Sequence, residues 1–541
     1  MKTMKKYLSL LLLAMTLSLQ AQWNPDTSVN TLVVDAIGGD MKAIGASDGS
    51  TFVVFWKSVG APENYELRLQ VLDPDGNQTL GSDGALVSVD LPMSTSTVIW
   101  NISVDDQDHL YIGATGTAGG DPAYAFKMDL QGNALWGSAG LSLGAGNLVR
   151  VKPLTTGDVL VSWWPGGAGV VQKFDSQGNA IWATPMPIEL GSSSTVTGEL
   201  FELSTGEFIV VFHELLNGIS SYLHAQKLDA QGAPLWNLPV QISNNVTAFI
   251  RDYPGMMIGD DVYLGYYASI GSRFDAYLQR IESDGTLPWG INGSDFDTSQ
   301  AYYEMTAYMA HEAGSNSIWM ASTYTNSSQG IKGTFLQRYD RSNGQRLLGD
   351  GAKEVFALGS ENIPVGGMYP KEEGVLMLIK QGLDNGGSPT TLGTTYLDSA
   401  GDFVWPETIR DVATFAANKS RIHYTAPINN QSVAVFIEQK TGQPKIYAQN
   451  FLDEEVVLAG PDQLLEVGLH YINPVKDRIS LVSSEPMQTF RVYNALGQLI
   501  YSSNSATTNL DVSVAHWPSG WYVLTCVDAA GTLRHIKLLK P

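Results

Sequence analysis

The chain has 541 residues, 44% of them hydrophobic and 16% charged, with a formal net charge of −22. So acidic a balance provides no basic footprint for nucleic acid or an anionic membrane surface, and excludes both as expected partners. Its single cysteine, Cys526, rules out an intramolecular disulfide, so packing has to hold the fold.

The first segment is a targeting signal. Lys2, Lys5 and Lys6 precede an apolar stretch from Tyr7 to Leu19, and Leu19-Gln20-Ala21 has the form of a cleavage site. The spacing predicts a signal peptide over 1–21, too short to span a bilayer. No later stretch is apolar enough to cross one, so an exported chain without a transmembrane anchor is expected.

From there to about residue 459 one pattern keeps returning. It reads Gln172-Lys-Phe-Asp-Ser-Gln-Gly178, Gln226-Lys-Leu-Asp-Ala-Gln-Gly232 and Gln279-Arg-Ile-Glu-Ser-Asp-Gly285, with variants ending at Gly76, Gly132, Gly344 and Gly401. Four residues past each glycine stands Leu80, Trp136, Trp182, Trp236, Trp289, Leu348 or Trp405. The apolar–polar alternation marks a strand with one buried face. The Asp-x-x-Gly that follows is a tight turn, in which Asp bonds its own downstream backbone and Gly accepts positive φ. A second strand pair precedes each hairpin, as in residues 42–56 and Gly206-Glu-Phe-Ile-Val-Val-Phe212. Four strands in about 54 residues make one blade of a β-propeller, and the length of the repetitive region predicts about eight blades, with seven as the alternative. The last unit (Ile422-His-Tyr, Ser432–Phe436, Ile446–Phe451) lacks its Trp and its fourth strand. Trp23-Asn-Pro and the strand over 31–36 resemble the missing piece, so the N-terminal strand is expected to close the ring and hide its edges. The repeated Trp residues, fixed at one blade position, are expected to be pegs between neighbouring blades.

After Gly460-Pro461 the pattern changes. Tyr471-Ile-Asn473-Pro474, Phe490-Arg-Val-Tyr493-Asn494-Ala-Leu-Gly497-Gln498, Leu510–Ser513, Gly520-Trp-Tyr522 and His535-Ile-Lys537-Leu-Leu-Lys540 are short alternating strands divided by turns. They predict a small antiparallel sandwich. These motifs, in this order, resemble the type A C-terminal sorting domain of the Bacteroidetes type IX secretion system. Ile472 stands where that family has proline, and Trp521 separates Gly520 from Tyr522. The resemblance implies contact of this domain with the secretion translocon, passage across the outer membrane, and release or surface attachment. The expected organisation is a signal peptide over 1–21, a propeller over 22–459 and a sorting domain over 460–541.

Local signals for chemistry are sparse. His311-Glu312 lacks the second histidine of a zinc helix, since position 315 is Ser. His109, His213, His224 and His423 are not spaced as ligands and are expected at ordinary polar positions. No cofactor is called for. Asp73-Pro74-Asp75-Gly76 and Asp105-Asp106-Gln107-Asp108 leave calcium open but read first as hairpin turns. Unrepeated aromatics at strand exits are the expected ligand contacts: Trp163, Trp164, Tyr266, Tyr267, Tyr302 and Tyr303. With no catalytic constellation visible, the sequence reads as a secreted or cell-surface monomer that binds a glycan or protein. The alternative is an extracellular hydrolase or lyase of polysaccharide or peptide, whose carboxylates would gather at the channel from different blades.

Overall fold

In a computed structural model, residues 23–540 are described except 36–38, 62–63, 384–386, 441, 454–462, 466–468, 472–473, 495–497, 505 and 529–532. The expected signal peptide and the change of pattern at 460–461 lie outside the described residues. Two compact units are present, Met1–Leu452 and Asp453–Pro541.

The first unit is an all-β propeller. Its sheets are antiparallel and their strands pair in chain order, as in Thr195–Glu202, Phe208–Leu215, Ser220–Leu228 and Val240–Gln241. Six such sheets follow one another, and a seventh has seven strands. In that larger sheet the 15-residue strand Arg410–Tyr424 serves twice. Its first half pairs with Thr390–Leu397 and its second with Gln431–Gln439. Counting that strand on both sides, we read eight blades. The first strand of each blade faces the axis, and the ring returns on itself where Met41–Gly45 packs against Arg410–Tyr424. As the sequence implied, Thr31–Val34 supplies the outer strand of the last blade, with Thr31 opposite Ala448 and Leu32 opposite Tyr447.

Three repeated side chains explain why the repeat folds this way. The turn aspartate caps its own hairpin: Asp175 Oδ1 accepts from Gln177 N at 2.9 Å and Asn179 N at 2.8 Å. The buried glutamine ties the third strand to the outer segment, Gln172 Nε2 donating to Trp182 O at 3.0 Å and Gln226 Nε2 to Trp236 O at 3.1 Å. The tryptophan crosses to the next blade. Trp182 lies on Gly232, and its Nε1 donates to Ala230 O at 3.1 Å; Trp136 does the same at Gly178 and Ser176 O. Trp23 repeats the contact across the closure, donating to Pro74 O at 2.9 Å over Gly76. The expected pegs are therefore present. Each core lies between neighbouring sheets; Leu160, Val171 and Trp182 of one blade pack with Phe208, Val210 and Phe212 of the next.

The second unit is built on Arg478–Asn494, a 17-residue strand. Its first part pairs with Leu469–Tyr471 and Thr507–Ser513, its second with Leu499–Ser503 and Gly520–Asp528. Leu533–Lys540 pairs with Gly520–Asp528. Alternate residues such as Ile479, Leu481, Phe490, Val492, Leu524 and Ile536 fill one small core, the expected sandwich.

Removing the Trp182 indole leaves a cavity between two sheets, so Trp182→Ala is expected to cost about 3–5 kcal/mol, measured by urea unfolding. Gly232→Ala is expected to destabilise as well, since φ is +88° and the new Cβ would come 2.8 Å from Met186 Cγ and 3.0 Å from the Trp182 ring. Unchanged stability in Trp182→Ala would mean that the indole serves a ligand instead of the fold.

Candidate functional site

The inner strands bring charge to the channel that no local stretch of sequence displays. Arg150 lies on Asn147–Pro153, and Glu199 lies on Thr195–Glu202. Asp252 follows in the loop before Gly255–Ile258, the inner strand of the next blade. The register of Thr195–Glu202 slips between Thr197 and Leu200, a bulge that holds Gly198 and Glu199; bulges re-aim side chains in this way. One guanidinium holds both acids, with Arg150 Nη1 at 2.9 Å from Glu199 Oε1 and Nη2 at 2.8 Å from Asp252 Oδ1. Lys42, from the inner strand of the first blade, places Nζ 3.7 Å from Asp252 Oδ2. Beside this cluster opens a cleft of about 690 Å³, lined by Glu199, residues 250–255, Tyr267 and residues 305–308. A second recess of about 280 Å³ continues down the channel past Asn101, Ser103, Arg150 and Lys152.

The two carboxylates are driven in opposite directions. Burial, only partly offset by Arg150, pushes the Glu199 carboxyl up. Burial also opposes the charge of Asp252, but Arg150 and Lys42 outweigh it and hold that carboxyl below its usual range. His213, on the second strand of the same blade, lies under the bulge; a Cβ on Gly198 would come 3.7 Å from its Nε2. Its Nδ1 lies 2.9 Å from Ser221 Oγ.

The aromatic residues singled out in the sequence divide. Trp163 is 4% exposed and packs with Trp136, Val149 and Val161 in the core between two blades. Tyr266 is fully buried and donates to Asn292 O at 2.8 Å. Neither offers a ring face to a ligand; in each pair the alternation of the strand turns one ring inward and leaves its neighbour at the surface. Trp164 is half-buried against Phe249, and Tyr267 lines the cleft. Tyr303 is half-buried and Tyr302 is exposed. Arg150, Glu199, Asp252 and Lys42 were not singled out. The one sequence signal for them is a charge inside an otherwise apolar inner strand, as in Val149-Arg150-Val151.

The acidic turns are occupied by their own backbone. Asp73 Oδ1 accepts from Asp75 N and Asn77 N, and Asp105 Oδ1 from Gln107 N and His109 N. Among the described residues, no group of three or more His, Cys, Asp and Glu is placed to hold a metal ion. Of the scattered histidines, His109 joins the Asp105 turn at 3.0 Å, whereas His213 and His423 line or underlie the channel.

In the second unit the sorting motif builds local structure. Asn494 and Gln498 close a turn reciprocally: Asn494 N donates to Gln498 O at 3.0 Å, and Gln498 N to Asn494 Oδ1 at 2.9 Å. Tyr493 precedes that turn at the end of its strand, and Gly497 within it lies outside the described residues, as does Asn473. Pro474 is exposed. Gly520 opens the strand in which Tyr522 OH donates to Pro518 O at 2.8 Å. Lys537 covers the Trp521 ring at 4.3 Å, and Lys540 Nζ donates to Lys476 O at 2.8 Å. Residues 470–538 match the family described as the secretion system C-terminal sorting domain. The tail is a type IX sorting domain. The chain that carries it is exported by that machinery to the outer surface or the medium, and no helix among the described residues is long and apolar enough to cross a membrane.

No curated protein matches the sequence. Among solved structures the chain is similar to an ulvan lyase from a new family of polysaccharide lyases, at 12% identity and a TM-score of 0.40 over 77% of this chain and 94% of that one. It is also similar to an α-L-arabinofuranosidase of Fusarium graminearum, at 10% identity and a TM-score of 0.34 over 56% and 92%. A puromycin hydrolase shares 10% identity at a TM-score of 0.39 over 77% and 61%. Likenesses this distant say nothing about chemistry.

His213 gives the site a measurable pH signature. Burial, with the Arg150 charge second, pushes its pKa down to about 3 from the ordinary 6.5. An unfolded chain takes the proton near 6.5 and the folded chain refuses it until about 3, so stability present above 6.5 is lost as pH falls through that window. His213→Asn cannot titrate and is expected to flatten the dependence of the urea midpoint on pH between those limits. Parallel curves for the two proteins would show that His213 is protonated in the fold.

Proposed function

We propose that the charged mouth of the propeller is the active site of an extracellular acid–base enzyme, a hydrolase or lyase that cleaves a polysaccharide or a peptide. The observation that carries this reading is the pairing of Glu199 and Asp252 on one guanidinium while their surroundings push their protonation apart. Two carboxylates so separated divide the roles of acid and base. Glu199 is the better proton donor and faces the leaving group. Asp252, held ionised, serves as base or stabilises positive charge. Arg150 fixes both, and the cleft beside them gives a substrate room to reach both acids.

A non-catalytic binder is the second reading. Lys42 and Asp252 come from opposite parts of the ring and meet across the channel, and so narrow it. Both acids already have cationic partners within the chain.

One experiment separates the two. The exported chain and its Glu199→Gln and Asp252→Asn variants are screened against polysaccharides and peptides for new reducing ends, unsaturated uronates or new amines. Turnover by the parent protein is expected, with losses of about 10²–10⁴-fold in each variant and binding retained. Equal turnover by all three proteins, or binding without cleavage of any polymer, would overturn the catalytic reading; the latter outcome would establish the binder.

A further inference from the structure

The mouth that holds Glu199 and Asp252 has two further properties which the acid–base pair does not explain. The first is its charge. The chain carries 54 acidic against 32 basic residues, yet among the described residues Lys42, Arg150, Lys152 and Arg251 gather here around the two carboxylates of the cleft lining, Glu199 and Asp252. Lys42 and Arg150 are engaged by those carboxylates. Lys152 and Arg251 are an excess, Arg251 exposed on the rim beside Asp252 and Lys152 half-buried in the channel wall. A cleft with low-dielectric walls concentrates the field of such an excess, while the acidic surface around it repels anions.

The second property is a run of aromatic rings. Tyr253 meets Tyr267 with ring centroids 5.8 Å apart, Tyr267 meets Phe274 at 6.3 Å, and Phe274 meets Tyr303 at 6.3 Å. Tyr267, Phe274 and Tyr303 are each half-buried and so keep part of the ring at the surface. On the other side of Arg251, Phe249 and Trp164 form another pair at 5.8 Å. The loop 250–255 thus carries Arg251, Asp252 and Tyr253 into one mouth, with Phe249 just before it, and apolar rings extend from the loop toward blades on both sides.

We infer that this mouth takes an acidic polysaccharide, whose sugar rings lie on the aromatic residues and whose carboxylate or sulfate groups meet Arg251 and Lys152. The inference rests on reading this mouth as the working site and narrows its substrate class. The C–H face of a pyranose is flat and apolar and matches an aromatic ring. A guanidinium on the rim matches a planar carboxylate or a sulfate. A neutral glycan would use the rings and gain nothing from the cations. A polyanionic peptide would use the cations but has no flat repeating face for the rings. The cleft volume of about 690 Å³ lies within the range of sites that bury small organic groups.

The test uses the full exported chain carrying Glu199→Gln, so that polymer is not consumed, with affinity measured by calorimetry at physiological ionic strength. The probes are polygalacturonate, alginate, hyaluronan, dextran sulfate, uncharged dextran and poly-glutamate. Saturable binding of at least one acidic polysaccharide is expected, at least about tenfold tighter than dextran or poly-glutamate. Carboxylated and sulfated probes then identify which anion is read. Arg251→Ala, a change on an exposed loop, is expected to weaken that binding about tenfold and Arg251→Glu further, with unfolding midpoints unchanged. Trp164→Ala is expected to weaken it with no change in the preference for charge. Failure of every acidic polysaccharide to bind, equal binding of dextran or poly-glutamate, or an Arg251→Glu variant that binds as well as its parent would overturn the inference. Turnover of a neutral polymer by the unmodified chain would also overturn it while leaving the acid–base reading standing. Tight binding of an acidic polysaccharide that is never cleaved would do the reverse.

Discussion

The propeller depends on a large apolar side chain, in most blades an indole ring, seated on a turn glycine of the next blade. A single blade has two apolar faces and two open edges and cannot bury those faces without its neighbours. A Trp–Gly seat fixes a blade to its successor at Trp23, Trp136, Trp182, Trp236 and Trp289, with Leu80 and Leu348 taking the indole's place in two others. At Trp23, Trp136 and Trp182 the indole N–H donates to a carbonyl of the same turn. The glycine meets two demands at once, a positive φ for the turn and the absence of a Cβ beneath the ring. Because Trp23 makes the same contact with the first blade, the ring closes through sequence-distant ends with the geometry used at Trp136 and Trp182. Gln449 adds to the closure by donating to Asn24 O at 2.6 Å, in the place where other blades use their glutamine strap.

A ring held at its outer turns leaves its inner strands free to vary. Several of them carry register slips, at 147–150, 197–200, 364–368 and 420–423. Such irregularity costs ladder hydrogen bonds, and the surrounding sheets supply the rigidity that tolerates it. The slip that holds Gly198 and Glu199 is the clearest case. It brings a carboxylate to the guanidinium of the preceding blade, where desolvation and the second acid, Asp252, set its proton affinity.

The sorting domain works by a separate logic. Its motif residues Asn494 and Gln498 hold a turn, and Tyr522 fastens a strand start to Pro518, so part of what marks the family is the chemistry of folding a small sandwich without a disulfide. Its one cysteine, Cys526, is buried in the core.

The sequence by itself determined what repeats or is local. The blade period, the Asp-x-x-Gly turn, the tryptophan peg, the closure by the N-terminal strand and the sorting motifs were all legible, because each depends on residues a few positions apart or recurs until it cannot be missed. It did not reveal which ring of Trp163-Trp164 or Tyr266-Tyr267 points inward, since adjacent residues on a strand take opposite faces and both look alike in an aromatic pair. Only the tertiary structure decided the site. Lys42, Arg150, Glu199 and Asp252 are spread over some 210 positions and belong to different blades, and an axis shared by all the inner strands is what makes neighbours of them. Closing a ring brings distant residues together at its centre, and no periodicity along the chain records which charges will meet there.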